Sequence, residues 1–183
     1  MNNPFEYPGF RVLAVFFDDP YREFYLREVA KIAGVGSGTA KRFLDFYEAN
    51  GFVVKGRKAN LVLFKGNLEN HSFRFMKLGL FMFRAKPLTD FLKEACPGSS
   101  VVLYGSCARG EDGPESDVDL LIVGRGVEAE GLSSYEKTLG KRITLLTYSP
   151  REWEERARKD AAFYERILAD GVSISGGLPV VTP

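Results

Sequence analysis

Cysteine and histidine are scarce in this chain. Two of its 183 residues are cysteines, Cys96 and Cys107, and His71 is its single histidine. Two cysteines are too few for the disulfide framework of a small secreted domain, so we expect free thiols in a reducing compartment. One histidine without a nearby cysteine pair cannot form an ordinary zinc site, which takes four protein ligands. The sequence therefore argues against a disulfide-rich or zinc-stabilised protein.

Hydrophobic runs long enough for a membrane helix are also lacking. The most apolar stretch, FRFMKLGLFMF, has eight apolar residues in eleven and is interrupted by Arg74 and Lys77, whereas a bilayer span needs about 20 residues. The first ten residues, MNNPFEYPGF, lack the basic start and the apolar stretch of a signal peptide. We therefore expect a cytoplasmic protein with no membrane partner.

The chain carries little net charge, but that charge is unevenly distributed. The formal net charge is +1. Residues 1–67 contain ten basic and seven acidic side chains, whereas residues 98–183 contain ten basic and fourteen acidic ones. A basic front and an acidic back indicate two modules with different partners. A chain of 183 residues, 45% of them hydrophobic, can give each of two small modules its own core.

Residues 1–68 carry the signals of three helices followed by a β-hairpin. A short apolar helix from Gly9 should stop at the Asp-Asp-Pro of residues 18–20, and YLREVAKIAGV and TAKRFLDFYEANG each place apolar residues on one helical face. Ser37 is the expected N-cap of the third helix and Gly51 its C-terminal stop. FVVKG and NLVLFKG are typical strands, joined by the basic tip RKAN. This order is similar in pattern to a winged helix-turn-helix domain.

The basic residues of this front module favour double-stranded DNA as a partner. From Lys31 to Lys65 there are seven basic and two acidic side chains, and DNA phosphates attract such a surface. A protein-interaction or dimerisation module with a solvated basic face is the alternative. The candidate DNA-binding residues are Thr39, Lys41 and Arg42 on the expected recognition helix, and Lys55, Arg57 and Lys58 in the wing.

Residues 69–97 form a predicted helical linker. Its first part has almost no polar face, and a helix that is apolar all round must be buried on more than one side. Pro87 should kink or divide the segment. Two partners for the apolar surface remain open, namely packing between the two modules and a homodimer interface.

Residues 101–123, VVLYGSCARGEDGPESDVDLLIV, enclose a glycine-serine turn and two aspartates between two apolar runs. Gly105 lets the backbone approach a ligand closely, while Ser106 and consecutive N–H groups at a helix start attract phosphate. Arg109 adds a charge that suits a triphosphate. Asp117 and Asp119 are two residues apart, so on a strand their carboxylates share one face. Magnesium, which prefers carboxylates together with substrate phosphates, would relieve their repulsion, and such a pair suits metal-assisted phosphoryl or nucleotidyl transfer.

These residues resemble a known signature. Gly-Ser, ten intervening residues and Asp-Val-Asp are similar to the motif of the DNA polymerase β-type nucleotidyltransferase superfamily, and GSCARGEDGPESDVDLLI looks like its minimal nucleotidyltransferase group. The resemblance covers about 20 residues, and the following segments fit the family's small α/β fold to roughly Gly171. It implies an α+β chain, in which a winged helix domain (residues 1–68) and the linker precede a nucleotidyltransferase-like domain (residues 98–183) whose mixed sheet is flanked by helices.

The resemblance also implies roles for single residues. Gly105 and Ser106 would hold the phosphates of a nucleoside triphosphate, for which ATP is the first candidate, and Arg109 would support the loop or contact phosphate. Asp117 and Asp119 would be the catalytic carboxylates and would bind Mg²⁺ or Mn²⁺.

One part of the superfamily's site has no counterpart in the sequence. A third carboxylate is expected on the strand KRITLLTYSP, where the outward residue between Ile143 and Leu145 is Thr144. Threonine is no base at neutral pH and is a poor metal ligand, and loss of a general base slows a reaction about 10²–10⁴-fold. Beyond this strand, residues 149–171 are predicted to form a single helix and VSISGG a short edge strand.

Three functions therefore remain open at the level of sequence. The first is a Mg²⁺-dependent nucleotidyltransferase that modifies a hydroxyl on a small molecule, an RNA or a protein. The second is a non-catalytic, DNA-binding transcriptional regulator of prokaryotic type with a degenerate nucleotidyltransferase domain. The third is an antitoxin-like protein that acts beside a toxin partner protein.

Overall fold

The computed structural model describes residues 4–181, and its internal contacts divide the chain into two compact units. The first unit contains the residues up to Lys77 together with Glu111–Pro114. The second contains Leu78–Gly110 and the chain from Glu115 onward. The division therefore falls inside the segment predicted as a linker, and four residues of the loop before Asp117 belong to the first unit.

The described part of the first unit contains three complete helices, the first half of a fourth and a three-stranded antiparallel sheet, after a short 3₁₀ turn at Pro4–Glu6. The sheet order is β1-β3-β2, so the last strand lies in the centre. The three predicted helices and the hairpin are present, whereas β1 was not predicted because two residues are too short for a periodic signal. In chain order the elements are α1 (Pro8–Asp18), β1 (Phe24–Tyr25), α2 (Leu26–Ala33), α3 (Ser37–Ala49), β2 (Val53–Lys58) and β3 (Leu61–Gly66).

The ends of helix α3 differ slightly from the prediction. Gly36 occupies the N-cap position and Ser37 is the first helical residue, so the prediction of Ser37 as a side-chain cap is wrong. At the other end the helix stops at Ala49, Asn50 is its C-cap, and Gly51 follows with a left-handed φ of 72°. Glycine adopts this conformation without a Cβ penalty, as the predicted stop requires.

The core of the first unit is built from the apolar faces of its helices. Phe16 and Leu44 are fully buried, and the rings of Phe17 and Phe73 pack with centroids 5.0 Å apart. The hydroxyl of Tyr47 donates a hydrogen bond to the carbonyl of Gly9 at 2.8 Å. These contacts fix α3 by one face and leave its other face and residues 54–61 of the hairpin exposed, whereas Val53 and Phe64 at the base of the hairpin are buried.

Two helices occupy the segment predicted as a linker. They are α4 (His71–Arg84) and α5 (Lys86–Ala95). Pro87 lies at the start of α5, where its missing N–H removes no helical hydrogen bond, so the predicted division is confirmed. We expected the apolar helix, now α4, to be buried on more than one side. In the single chain it is not, because Phe75 is 71% exposed and Phe83 is 51% exposed.

The second unit is built on a mixed four-stranded sheet with the order β6-β5-β4-β7. Strands β5 and β6 are parallel, whereas the other neighbours are antiparallel. The mixed sheet and the edge strand at VSISGG agree with the prediction. The strands are β4 (Ser100–Tyr104), β5 (Val118–Val123), β6 (Ile143–Tyr148) and β7 (Val172–Ser175). The remaining helices are α6 (Gly105–Arg109), α7 (Ser133–Leu139), α8 (Pro150–Lys159) and α9 (Ala161–Asp170), with a 3₁₀ turn at Ala129–Leu132.

Helices cover both faces of this sheet. On one face Leu120 packs in a core with Leu88 and Leu92 of helix α5. On the other face Leu121 packs with Trp153 and Ile167 of helices α8 and α9. This alternation follows from the pleat of β5, whose successive side chains point to opposite faces.

The predicted single helix of residues 149–171 is wrong, because two helices occupy this stretch. Asp160 has φ −134° and ψ 70°, which ends α8, and its carboxylate accepts a hydrogen bond from the backbone N–H of Phe163 at 3.0 Å. Asp160 is thus the N-cap of α9. Within residues 4–181, no helix is both long enough and apolar enough to cross a membrane.

Candidate functional site

The turn after β4 brings the backbone close to one of the two aspartates. Gly105 has a φ of 74°, and a Cβ placed on it would overlap the Asp119 carboxylate. Glycine is the residue that can adopt this positive φ freely and that has no Cβ to overlap Asp119. Helix α6 runs from Gly105 to Arg109, and its C-cap, Gly110, has a φ of 65°. A helix this short offers local N–H groups rather than a large dipole, and it carries Ser106 and Arg109 on one turn.

The two aspartates lie at the start of β5. Asp117 directly precedes the strand, and Asp119 is opposite Tyr104 on β4 and Thr144 on β6. Residues two apart along a strand share a face. The charge of Asp117 acts on Asp119, which is in keeping with a common face of the two carboxylates.

Thr144 occupies the place that the sequence predicted for it. It lies opposite Asp119 on the parallel strand β6, and its hydroxyl is 3.4 Å from Asp117 Oδ2. The position expected for a third carboxylate therefore faces the aspartate pair and holds a hydroxyl instead. Threonine can donate a hydrogen bond to Asp117 here, but it cannot supply a negative charge.

Arg142 contacts Asp117 directly, which the sequence reasoning missed. Its Nη2 donates to Asp117 Oδ2 at 2.6 Å, and its Nε lies 3.1 Å from Oδ1 and 3.2 Å from Oδ2. The hydrogen bond from Arg142 is the largest cause that lowers the pKa of Asp117 below its ordinary value. Because Arg142 stands two residues before Thr144, strand alternation could have placed both on the same face.

The pKa of Asp119 is shifted in the opposite direction. Burial is the largest cause that raises it, the negative charge of Asp117 adds to the rise, and Arg109 opposes it. The two carboxylates are thus unlike in their surroundings. Asp117 already has a cation beside it, whereas Asp119 would gain most from a positive charge brought by a ligand.

The donors present fit a magnesium ion that arrives with phosphate rather than a metal held by protein alone. Among the described residues, no group of three or more His, Cys, Asp or Glu side chains is arranged to hold a metal. Two carboxylates and the Thr144 hydroxyl are available, and Mg²⁺ commonly uses one or two carboxylates plus substrate phosphates and water. Any ion bound by Asp117 would compete with Arg142, whose side chain is 76% exposed and can move away.

The other group of predicted site residues lies in the first unit. Lys41 and Arg42 are exposed on α3, and Thr39 is half-buried. Lys41 pairs with Asp45 at 2.5 Å and Lys55 with Glu48 at 3.2 Å, so their charges are partly neutralised by the same helix.

Arg57 and Lys58 have exposed side chains at the end of β2. Within residues 4–181 neither makes an ion pair. They are therefore the cations of the hairpin most available to a phosphate backbone.

Comparison with known families supports the assignment of the second of the two units. Residues 86–169 match the family model described as "Nucleotidyltransferase domain". The matched region contains Gly105, Ser106, both aspartates and Thr144, and it supports membership of the nucleotidyltransferase superfamily for this part of the chain. Neither the curated proteins nor the solved structures give a match.

Proposed function

We propose that the region of residues 86–169 binds a nucleoside triphosphate with Mg²⁺ and transfers its nucleotidyl group to an acceptor hydroxyl. The observation that carries this proposal is that Asp117 and Asp119 lie close enough to interact, beside Gly105, where a Cβ would overlap the Asp119 carboxylate. ATP is the first candidate for the nucleotide. The acceptor is a hydroxyl on a small molecule, an RNA or a protein.

Each residue has a defined part in this proposal. Gly105 and Ser106 bind phosphate oxygens through backbone N–H groups and the serine hydroxyl, and Arg109 contributes positive charge. Asp117 and Asp119 hold Mg²⁺, or Mn²⁺ in its place, which neutralises the phosphates and orients them for attack. Asp117 can do so only when Arg142 releases it, and the freed guanidinium can then pair with the triphosphate.

The proposed nucleotidyl transfer should be slow, because the site lacks a positioned general base. The acceptor oxygen forms a bond to the α-phosphorus, the bond to the β-phosphate breaks, and pyrophosphate leaves. Thr144 cannot accept the hydroxyl proton at neutral pH, and in this proposal the proton passes to water. Absence of a positioned base lowers the rate about 10²–10⁴-fold, so turnover well below that of a complete site is expected.

Labelled nucleotide tests for transfer. The full chain is incubated with Mg²⁺ and ATP labelled at the α-phosphorus, with total RNA, a protein extract or a pool of small hydroxyl compounds as acceptors. Label should pass to one acceptor class and should be lost in Asp117→Asn. Equal labelling by Asp117→Asn would discard transfer by this site.

A second function rests on the first unit. The order α1-β1-α2-α3-β2-β3 with the sheet β1-β3-β2 supports a winged helix that binds double-stranded DNA. In this proposal α3 is the recognition helix, with Thr39, Lys41 and Arg42 toward DNA, and the β2–β3 hairpin is the wing. The protein would then be a cytoplasmic regulator of prokaryotic type, with or without catalysis in the other unit.

Protein partners complete the proposal. The exposed Phe75 and Phe83 of helix α4 support a homodimer, because large apolar side chains on one helix favour burial against a partner. Molecular mass in solution, measured by light scattering over a range of concentrations, tests this. A toxin partner remains a prediction from the family resemblance alone, and co-purification with neighbouring gene products would test it.

A further inference from the structure

A cavity of about 240 Å³ lies between the end of strand β4 and helix α9, inside the second unit. The sequence did not predict a binding site between this strand and this helix. Its walls include Tyr104, Gly105, Arg109, Phe163, Arg166 and Asp170.

The cavity shares residues with the proposed metal and phosphate site. Tyr104 is paired with Asp119 across β4 and β5, and residues opposite one another in an antiparallel pair point to the same face. The pKa of Tyr104 is raised to about 12, first by burial and then by the charge of Asp119. Gly105 lines the cavity and also meets the Asp119 carboxylate. A ligand in the cavity would thus lie next to the phosphate-binding turn.

The walls suit a flat, hydrogen-bonding ring. The rings of Tyr104 and Phe163 are 5.8 Å apart in an edge-to-face arrangement, and they provide apolar surface. Arg166 is exposed and makes no ion pair within residues 4–181, so its N–H groups can donate to a ligand. Asp170 lies 3.9 Å from Arg109 and is partly exposed, so its oxygens can accept.

The size of the cavity limits what it can hold. At about 240 Å³ it is smaller than the roughly 300–1,000 Å³ of sites that enclose a whole drug-sized ligand. One ring system fits, whereas a complete nucleoside triphosphate does not. The phosphates of such a ligand would have to lie outside the cavity, along Gly105 and Ser106.

We propose that this cavity binds the base of the nucleotide, with Arg166 donating to a ring acceptor and Asp170 accepting from a ring N–H group. The inference rests on the proposed function, because it supplies the base site for the triphosphate placed at Gly105 and Asp119. It also assigns nucleotide selectivity to helix α9, which carries no residue of the glycine-serine and aspartate motif.

Calorimetry on the full chain tests the proposal, with ATP, GTP, CTP, UTP and inorganic tripolyphosphate as probes in excess Mg²⁺. Tripolyphosphate offers the phosphates without a base. The wild type should bind at least one nucleotide about tenfold more tightly than tripolyphosphate. Arg166→Ala should weaken that nucleotide about tenfold, as loss of a charged hydrogen bond does, and should leave tripolyphosphate unchanged. Arg158→Ala, an exposed arginine on α8, is the matched control and should change neither.

A second variant tests which nucleotide is preferred rather than how tightly it binds. Asp170→Asn keeps the shape of the side chain and should change the order of preference among the four nucleotides. Equal weakening of nucleotide and tripolyphosphate by Arg166→Ala would assign this arginine to phosphate and overturn the base site. Nucleotides and tripolyphosphate that bind equally to the wild type would also overturn it while leaving the proposed function intact. If none of the five probes binds, both the proposed function and the base site fail.

Discussion

The guanidinium of Arg142 lies against the carboxylate of Asp117, with Nη2 2.6 Å from Oδ2 and Nε 3.1 Å from Oδ1. Arg142 thus already neutralises Asp117, the aspartate that is proposed to bind Mg²⁺. The pair is exposed on the arginine side, since the Arg142 side chain is 76% exposed. Exposed pairs of this kind are weak, so a divalent ion together with phosphate can displace the arginine.

Removal of Arg142 should therefore strengthen metal binding. In Arg142→Ala we expect Mn²⁺ affinity in the absence of nucleotide to rise roughly two- to fivefold, because Asp117 no longer has a competing partner. Electron paramagnetic resonance of free Mn²⁺ measures this affinity directly. Arg151→Ala, which removes a 90% exposed arginine of α8, is the control and should have no effect. Weaker Mn²⁺ binding in Arg142→Ala would contradict competition between arginine and metal.

Gly105→Ala should destabilise the second unit and abolish nucleotide binding. Two penalties combine, because the residue has a φ of 74° and its new methyl group would overlap the Asp119 carboxylate. Gly140→Ala separates them, since Gly140 has a φ of 64° with no atom near the position of a Cβ. The left-handed conformation alone costs about 1–2 kcal/mol, so Gly140→Ala should lose that much in urea unfolding. A Gly105→Ala variant no less stable than Gly140→Ala would show that Asp119 moves freely.

Removal of one partner of the buried pair of Lys77 and Asp112 should strongly destabilise the first unit. Its Nζ and Oδ1 are 2.8 Å apart and the two side chains are 4% and 5% exposed, while Lys77 also donates to the Phe17 carbonyl at 2.6 Å. Lys77→Met removes the cation beside the buried Asp112 carboxylate and should cost about 3–5 kcal/mol of unfolding free energy.

The exposed pair of Lys86 and Asp90 is the matched control for that experiment. Their side chains are 68% and 48% exposed, so Lys86→Met should cost no more than about 1 kcal/mol. Comparable losses from the two lysine variants in urea titration would mean that the Lys77 pair is solvated in solution. A double variant of Lys77→Met with Asp112→Leu should recover part of the loss, because no charge is then left buried.

Duplex binding by the first unit should depend on the hairpin more than on Lys41. Arg57→Ala combined with Lys58→Ala should weaken binding and reduce the slope of log K against log salt by about 2, because each phosphate that the protein neutralises adds about 0.9 to that slope. Lys41→Ala should do less, because Asp45 already pairs with that lysine. Fluorescence anisotropy with a pool of genomic duplexes at several salt concentrations measures both. An unchanged slope in the hairpin variant would exclude the hairpin as a phosphate-binding element.

The parts of the site that follow from strand alternation were predictable from the sequence. The common face of Asp117 and Asp119 and the placement of Thr144 depend only on a period of two and on adjacent strands. Arg142 obeys the same rule and could have been found. The cavity between β4 and α9 could not be predicted, because Phe163, Arg166 and Asp170 are some sixty residues from Gly105 in sequence, and only the packing of α9 brings them there.

Sequence signals did not predict the helix ends correctly where a single residue decides where a helix begins or stops. Asp160 gives no breaker signal within a helical pattern, yet its extended backbone and its hydrogen bond to Phe163 divide the predicted helix. Ser37 has the composition of an N-cap, but Gly36 takes that position. The membership of Glu111–Pro114 in the first unit depends on tertiary contacts such as the pair of Lys77 and Asp112, for which a sequence offers no periodicity.

Titration of Mg²⁺-ATP into the purified full chain by calorimetry tests the central claim most directly. The double variant Asp117→Asn, Asp119→Asn is measured beside the wild type, with Asp90→Asn, an exposed carboxylate of α5, as the control. Saturable binding by the wild type and by Asp90→Asn, lost in the double variant, is the predicted result. Equal binding by the double variant, or no binding by the wild type of ATP or of the other three triphosphates, would contradict a metal and triphosphate site at these aspartates.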